Sequence, residues 1–112
     1  MKNKVQLIGH LGAAPEVKTT ANGSKYARMS IATDEVYTNK KGEKVTDTTW
    51  HQVVGWDKTA EIIEQRLVKG TYVLIEGKLT NRQWEDKNGE KRFITEVLCT
   101  NLLVLEKKAA MA

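Results

Sequence analysis

The sequence is poor in the residues that build disulfide frameworks and metal centres. It has one cysteine, Cys99, which cannot form a disulfide within the chain, and two histidines, His10 and His51, at no spacing typical of a zinc site. No apolar run approaches the about 20 residues that a membrane-spanning helix needs. These absences predict no metal, no membrane span and a reducing compartment, the cytoplasm.

Catalytic signatures are also missing from the sequence. It contains no Gly-rich phosphate loop, no nucleophile paired with a base and no recognisable pair of carboxylates. Cys99 falls within a predicted strand, where a small core residue is more common than a reactive thiol. We therefore expect a protein that is not an enzyme and that uses no cofactor.

What the chain has in excess is positive charge. In 112 residues it carries 18 Lys and Arg against 14 Asp and Glu, a net charge of +4. A mild basic excess favours partners rich in phosphate without requiring them. The length is that of one domain with one core. We expect this domain over residues 1–106, followed by a short flexible C-terminal extension at 107–112.

Alternating apolar and polar residues predict strands in the first half of the chain. The first spans Lys4 to Leu11, and the second begins at Lys25 after a turn at Asn22-Gly23. The polar, lysine-bearing segment from Thr38 to Asp47 predicts a long exposed hairpin tip. A third strand follows, from Thr49 to Trp56.

The second half begins with a helix and ends with two strands. After Asp57, a candidate N-cap, apolar residues fall on one stripe and predict a helix as far as Lys69. The fourth strand bends at Gly77, a second lysine-tipped hairpin turns at Asn88-Gly89, and the fifth strand, Phe93 to Leu105, is apolar on both faces. Three strands, a helix and two more strands are the connectivity of a five-stranded OB-fold barrel, a mainly β fold.

Tryptophans share faces with polar or cationic residues on two of these strands. Side chains alternate along a strand, so Trp50 and Trp56 point to one face, about 20 Å apart and too far to stack on each other. Lys78, Arg82 and Trp84 share a face by the same rule. An isolated tryptophan is most often a core residue, but these polar neighbours argue against deep burial. Exposed rings beside cations favour single-stranded nucleic acid, whose bases stack on aromatic side chains whatever their identity.

The sequence also resembles a known family over nearly its whole length, from Asn3 to about Leu105. Matching segments follow in order: Asn3-Lys4-Val5, Gly9-His10-Leu11-Gly12, Pro15-Glu16-Val17, Trp50-His51-Gln52-Val53-Val54, Leu67 with Lys69-Gly70, Ile75-Glu76-Gly77 with Leu79, Arg82 with Trp84, and Gly89 with Thr95-Glu96-Val97. Each piece is short, but the ordered set is specific. On these motifs the chain resembles the bacterial single-stranded-DNA-binding proteins, a homotetrameric OB-fold family.

The resemblance implies sequence-independent binding and protection of single-stranded DNA during replication, recombination and repair. Base stacking is implied on Tyr37, Trp50, Trp56 and Trp84. Phosphate contacts are implied on Lys18, Lys58, Lys69 and Arg82, and the shared strand face adds Lys78. A homotetramer is implied, with contacts at Lys4, Val5, Gln6, Leu7, Ile8, Gly9 and His51. Gln52 and Gln83 stand where relatives often have a cation, so we expect weaker backbone contacts there.

Partner recruitment and the nature of the ligand leave alternatives open. Relatives commonly end in an acidic peptide that recruits replication and repair partners, and this sequence ends at Met111-Ala112 without one, so tail-dependent recruitment is not expected. An OB-fold module for protein contact or primosome assembly is one alternative. A general binder of single-stranded RNA is another, because stacking does not read the sugar hydroxyl.

Overall fold

Alternating apolar residues and tight glycine turns give the chain a mostly β architecture. The structure, a computed structural model, describes residues 2–106. Within that range the elements are β1 (Val5–Leu11), β2 (Glu16–Thr19), β3 (Lys25–Thr38), β4 (Lys44–Trp56), α1 (Lys58–Arg66), β5 (Tyr72–Glu85) and β6 (Lys91–Glu106). In this part of the chain no helix has the length and apolar character needed to cross a bilayer. The extension expected at 107–112 lies outside the described residues.

Five of the strands close into a barrel. Neighbouring strands follow the order β1-β5-β6-β4-β3, and β1 also pairs with β3, which closes the ring. The predicted five-stranded barrel, with its helix between β4 and β5, is confirmed. The prediction missed β2, which pairs with β3 outside the ring. This strand has four residues and a single half-buried apolar side chain, Val17, so it shows no readable alternation.

The barrel consists of two antiparallel units joined by two short ladders. β2, β3 and β4 form one unit, and β1, β5 and β6 form the other. β4 and β6 run parallel where they meet, whereas β1 and β3 are antiparallel. The paired residues are Val53 with Val97 and Val54 with Leu98 in the β4–β6 ladder, and His10 with Ala32 and Leu11 with Ile31 in the β1–β3 ladder.

Three hairpins of the described chain use the same five-residue turn. In each, the first N–H donates to the fifth carbonyl, and the N–H of a glycine at the fourth place donates to the first carbonyl. These glycines have positive φ, 87° at Gly23, 80° at Gly42 and 78° at Gly89, a conformation that other residues adopt only at a cost. The turns span Thr20–Ser24, Asn39–Glu43 and Asp86–Glu90. Both predicted hairpins are present, but the tip expected over Thr38 to Asp47 is limited to Asn39–Glu43, because β4 begins at Lys44 rather than Thr49.

Helix α1 packs its predicted apolar stripe against the barrel. Ala60, Ile63 and Leu67 are buried and join the core formed by the inward side chains of the strands. Gly55 allows the close approach, because a Cβ atom at this position would lie 2.8 Å from Cδ1 of Ile63. A larger residue at position 55 would therefore have to displace the Ile63 or Thr59 side chain.

The helix begins after Asp57 as predicted, but the predicted side-chain cap and the predicted C-terminal end are wrong. Asp57 does not act as a side-chain cap, because its backbone has φ 51° and its carboxylate makes no capping hydrogen bond. Instead the N–H of Asp57 donates to the carbonyl of Lys25 at 2.8 Å, which ties the start of the helix to β3. The helix ends at Arg66 rather than Lys69, since Leu67 already has extended backbone angles.

The bend expected at Gly77 is present as an irregularity in the β5–β6 register. A Cβ atom on Gly77 would lie 2.0 Å from the carbonyl oxygen of Leu98, so the two backbones meet here without room for a side chain. Cys99, which faces Gly77, is buried in the core as predicted. Burial raises the pKa of its thiol to about 11, which keeps the thiol protonated and unreactive near neutral pH.

Candidate nucleic-acid interface

Aromatic rings on three barrel strands lie open to solvent. The exposed fractions are 59% for Trp50 and 43% for Trp56 on β4, 44% for Trp84 on β5 and 48% for Tyr37 on β3. The exposure of the tryptophans predicted from their polar neighbours is confirmed. Flat, exposed rings are available for stacking with a ligand, although their assigned role remains a prediction.

Trp56 stands in a cross-strand row with a second aromatic ring and a lysine. Lys18 on β2 pairs with Tyr26 on β3, and Tyr26 pairs with Trp56 on β4. The rings of Tyr26 and Trp56 are 4.7 Å apart between centroids and tilted by 57°. The Trp56 ring borders an open depression of about 430 Å³, which we call the Trp56 depression. Its lining residues are Lys18, Thr19, Thr20, Tyr26, Arg28, Trp56 and Arg82.

Arg82 is held by a buried carboxylate. Its Nε donates to Oε1 of Glu96 at 3.2 Å and its Nη2 donates to Oε2 at 3.3 Å. The side chain of Glu96 is only 4% exposed, whereas that of Arg82 is 46% exposed. The same guanidinium lies 5.5 Å from the ring centroid of Trp84. Glu96 and Trp84 therefore fix the position of Arg82, and the carboxylate neutralises much of its charge.

Arg28 and Tyr26 are residues of this surface that were not predicted from the sequence. Arg28 is half-buried, and its pKa is raised, mainly by the nearby Tyr26 hydroxyl and to a smaller extent by Glu96 and Glu16. The two side chains are close, yet Nε of Arg28 and the Tyr26 hydroxyl lack a hydrogen bond of good geometry. The available signal was alternation, since Arg28 stands between core residues Ala27 and Met29 and must face outwards.

The other predicted phosphate contacts are spread over the surface. Lys58 begins α1 two residues after Trp56, and Lys69 follows the helix, both exposed. Lys78 lines a different depression together with Lys4 and Glu76. The structure thus brings Lys18 and Arg82 together at the Trp56 depression but places Lys69 and Lys78 outside its lining.

The predicted subunit-contact residues lie mainly on β1. Val5 to Gly9 pair with β5 along one edge, while the pairing of β1 with β3 is limited to His10 and Leu11. The second edge of Val5–Gly9 therefore has no strand partner within residues 2–106. Lys4 forms an ion pair with Glu76 at 3.3 Å, and Nε2 of the half-buried His51 is 2.9 Å from Oγ1 of Thr33.

Comparisons of sequence and of fold both match this chain to single-stranded-DNA-binding proteins. The model of the family described as the single-strand binding protein family matches residues 2–105. The chain is 44% identical over 107 residues to single-stranded DNA-binding protein 1 of Chlorobaculum tepidum, covering 95% of this chain and 66% of that protein. It is 40% identical to the Xylella fastidiosa protein of the same name, covering 95% of this chain and 79% of the relative.

Two solved structures share the barrel. The Plasmodium falciparum SSB in complex with ssDNA superposes with a TM-score of 0.82 at 33% identity, covering 93% of this chain and 95% of that one. A deletion mutant of the single-stranded DNA binding protein from Thermus aquaticus superposes with a TM-score of 0.80 at 32% identity, covering 93% of this chain and 50% of that one. The barrel described here is therefore similar to OB-fold proteins of this kind.

Proposed function

This chain belongs to the single-strand binding protein family, and we propose that it binds single-stranded DNA without sequence preference. The family consists of non-enzymatic DNA-binding proteins, so the function is binding rather than catalysis. The observation that carries the proposal is the exposure of the four rings of Tyr37, Trp50, Trp56 and Trp84. Each ring that stacks a base contributes about 1–3 kcal/mol, and the contribution is tolerant of base identity.

Cations around the rings supply the contacts to the backbone. Lys18 and Arg82 line the depression beside Trp56, and Lys58 follows that ring by two residues. Lys69 and Lys78 are exposed and extend the basic surface beyond the depression. Phosphate contacts made by such side chains release counterions, so affinity falls as salt is added.

The proposed assembly is a homotetramer, and an apolar row on the outside of the barrel supports it. Ile8 on β1 pairs with Leu74 on β5, which pairs with Leu103 on β6. Ile8 is 45% exposed and Leu103 59% exposed. Exposed apolar rows beside an unpaired strand edge are typical of protein interfaces. The contact would use Lys4 to Gly9, with His51 nearby on β4.

The cellular role follows from the chemistry of the ligand. Unpaired DNA is exposed during replication, recombination and repair, and a sequence-tolerant binder protects it there. The proposed location is the bacterial cytoplasm, at the nucleoid. The free thiol of Cys99 agrees with a reducing compartment.

A titration with oligothymidine at two salt concentrations tests the proposal. We expect tryptophan fluorescence to be quenched on binding and the affinity to fall with salt, with a slope of about −0.7 per phosphate contact. Light scattering on the same sample counts subunits. A module for protein contact would show neither quenching nor salt dependence. Competition with a matched oligouridine distinguishes DNA from RNA as the preferred ligand.

A further inference from the structure

The Trp56 depression spans the two units of the barrel. Lys18, Tyr26, Arg28 and Trp56 come from β2, β3 and β4, and Arg82 comes from β5. Three cations and two aromatic rings thus surround one open space. A base can stack on the Trp56 ring while its phosphate lies among the cations.

The three cations are not equally free to bind a phosphate. Arg82 makes two hydrogen bonds to the buried Glu96, whereas Lys18 and Arg28 form no ion pair within residues 2–106. When a guanidinium is paired with a carboxylate, the pair has little net charge, and fewer N–H donors remain free for a ligand. Arg28 is therefore the less committed of the two arginines.

Two polar groups beside the depression lack hydrogen-bond partners. Nε of Arg28 and the hydroxyl of Tyr26 are shielded from water and have no hydrogen bond of good geometry. A shielded polar group without a partner costs free energy. An outward turn of the flexible Arg28 side chain would open both groups to the depression, where a phosphate oxygen can accept from them.

We infer that Arg28 makes the principal phosphate contact of a nucleotide subsite in the Trp56 depression. The base of that nucleotide stacks on Trp56, and Lys18 provides the second cation. Arg82 serves as a fixed wall of the subsite, held by Glu96, and contributes less to phosphate binding than Arg28. This inference rests on the proposed function and refines it, because it changes which arginine carries the contact.

Matched neutral variants test the assignment. Arg28→Gln, Arg82→Gln and Arg66→Gln each remove one positive charge, and Arg66 is an exposed residue outside the lining of the depression. The readout is the salt dependence of oligothymidine binding by fluorescence, with thermal unfolding to confirm that each variant is folded. We expect Arg28→Gln to reduce the slope by about 0.7, Arg82→Gln to reduce it less, and Arg66→Gln to leave it unchanged. Arg28→Lys should restore most of the slope.

The outcomes separate this inference from the function on which it rests. If the unmodified protein does not bind oligothymidine, the proposed function itself fails. If it binds and Arg28→Gln behaves like Arg66→Gln, the subsite assignment is wrong. A larger loss in Arg82→Gln than in Arg28→Gln would also overturn it, because the paired arginine would then be the main contact. If Arg28→Gln is unfolded, the comparison of Arg28→Lys with Arg82→Lys decides, with the larger fall in affinity expected at position 28.

Discussion

Gly12 lies against the Cζ3–Cη2 edge of the indole ring of Trp50. A Cβ atom at position 12 would stand 2.3 Å from Cζ3 of that ring, closer than real atoms approach. Trp50 is nevertheless 59% exposed, so the ring is packed at this edge and remains largely open to solvent. The absence of a side chain at position 12 therefore leaves room for the edge of this proposed stacking ring.

Gly12→Ala should weaken DNA binding more than it weakens folding. The added methyl group must push the Trp50 ring aside, and the ring is free to move because it is exposed. We expect a fall in oligothymidine affinity of several-fold, with a thermal midpoint close to that of the unmodified protein. An unchanged affinity would show that the resting position of this ring does not matter for binding.

Replacing the Trp84 ring should lower affinity by an amount typical of one stacked base. We expect Trp84→Ala to cost about 1–3 kcal/mol of binding free energy, with similar losses for oligothymidine and mixed-sequence strands. Phe93 offers a matched control, since it is 67% exposed and adjoins Arg92, the direct cross-strand partner of Trp84, so it faces the opposite side of the hairpin. Equal losses in Trp84→Ala and Phe93→Ala would remove the stacking assignment for Trp84.

Gly77→Ala should destabilise the fold. Its Cβ atom would meet the Leu98 carbonyl oxygen at 2.0 Å, and two hydrogen-bonded backbones cannot separate without loss of pairing. Overpacking of this kind typically costs about 1–3 kcal/mol. Urea unfolding measures the change, and Gly12→Ala is the control in which a movable side chain takes up the added volume. Similar stability of the two variants would contradict the prediction.

The Cys99 thiol should make stability fall at alkaline pH. Its pKa is raised from 9.0 to about 11 by burial, so the folded state binds a proton that the unfolded state releases above pH 9. Stability from this group is complete below pH 9 and is lost as the pH rises to about 11, by at most about 2–3 kcal/mol. The difference in unfolding free energy between the unmodified protein and Cys99→Ala should therefore change over this window. A constant difference from pH 8 to pH 11 would contradict the assignment.

A charge on the apolar row should disrupt the proposed tetramer. Ile8→Arg places a cation beside Leu74 and Leu103, and burying it in an interface without a partner is unfavourable. Light scattering should report smaller assemblies for Ile8→Arg and an unchanged mass for Val36→Arg, a control on the β3–β4 hairpin where the valine is 64% exposed. A tetramer that tolerates Ile8→Arg would place the interface elsewhere.

Features set by local pattern could be predicted from the sequence. Alternation along β4 indicated that Trp50 and Trp56 face outwards, and the glycine-containing turns gave both lysine-tipped hairpins. The short strand β2 was missed because four residues carry too little alternation. Asp57 has the residue type of a cap, but the link from β4 to the helix holds its backbone at φ 51°, away from a capping geometry. A tertiary contact therefore overrides the capping preference of aspartate at that position.

The composition of the Trp56 depression could not be predicted from the sequence. Arg82 and Glu96 are 14 residues apart and meet through the β5–β6 pairing, while Arg28 reaches the same space from β3. The approach of Arg28 to this pair depends on how the β4–β6 ladder aligns the two units, and no short segment encodes that alignment. The family resemblance favoured Arg82, which the structure shows already paired with the carboxylate of Glu96.

A DNA strand lying in the Trp56 depression would touch both units of the barrel, which share one core and whose strands pair through two ladders of two residue pairs each. Separated units could not hold such a strand, so binding adds to the free energy of unfolding in proportion to the logarithm of ligand concentration. The polynucleotide would then act as a further connection between the two units, in addition to the ladders and the shared core. Hydrogen exchange at the amides of Val53 and Val97 would slow in the complex, because the bound strand would help to keep the two units of the barrel together.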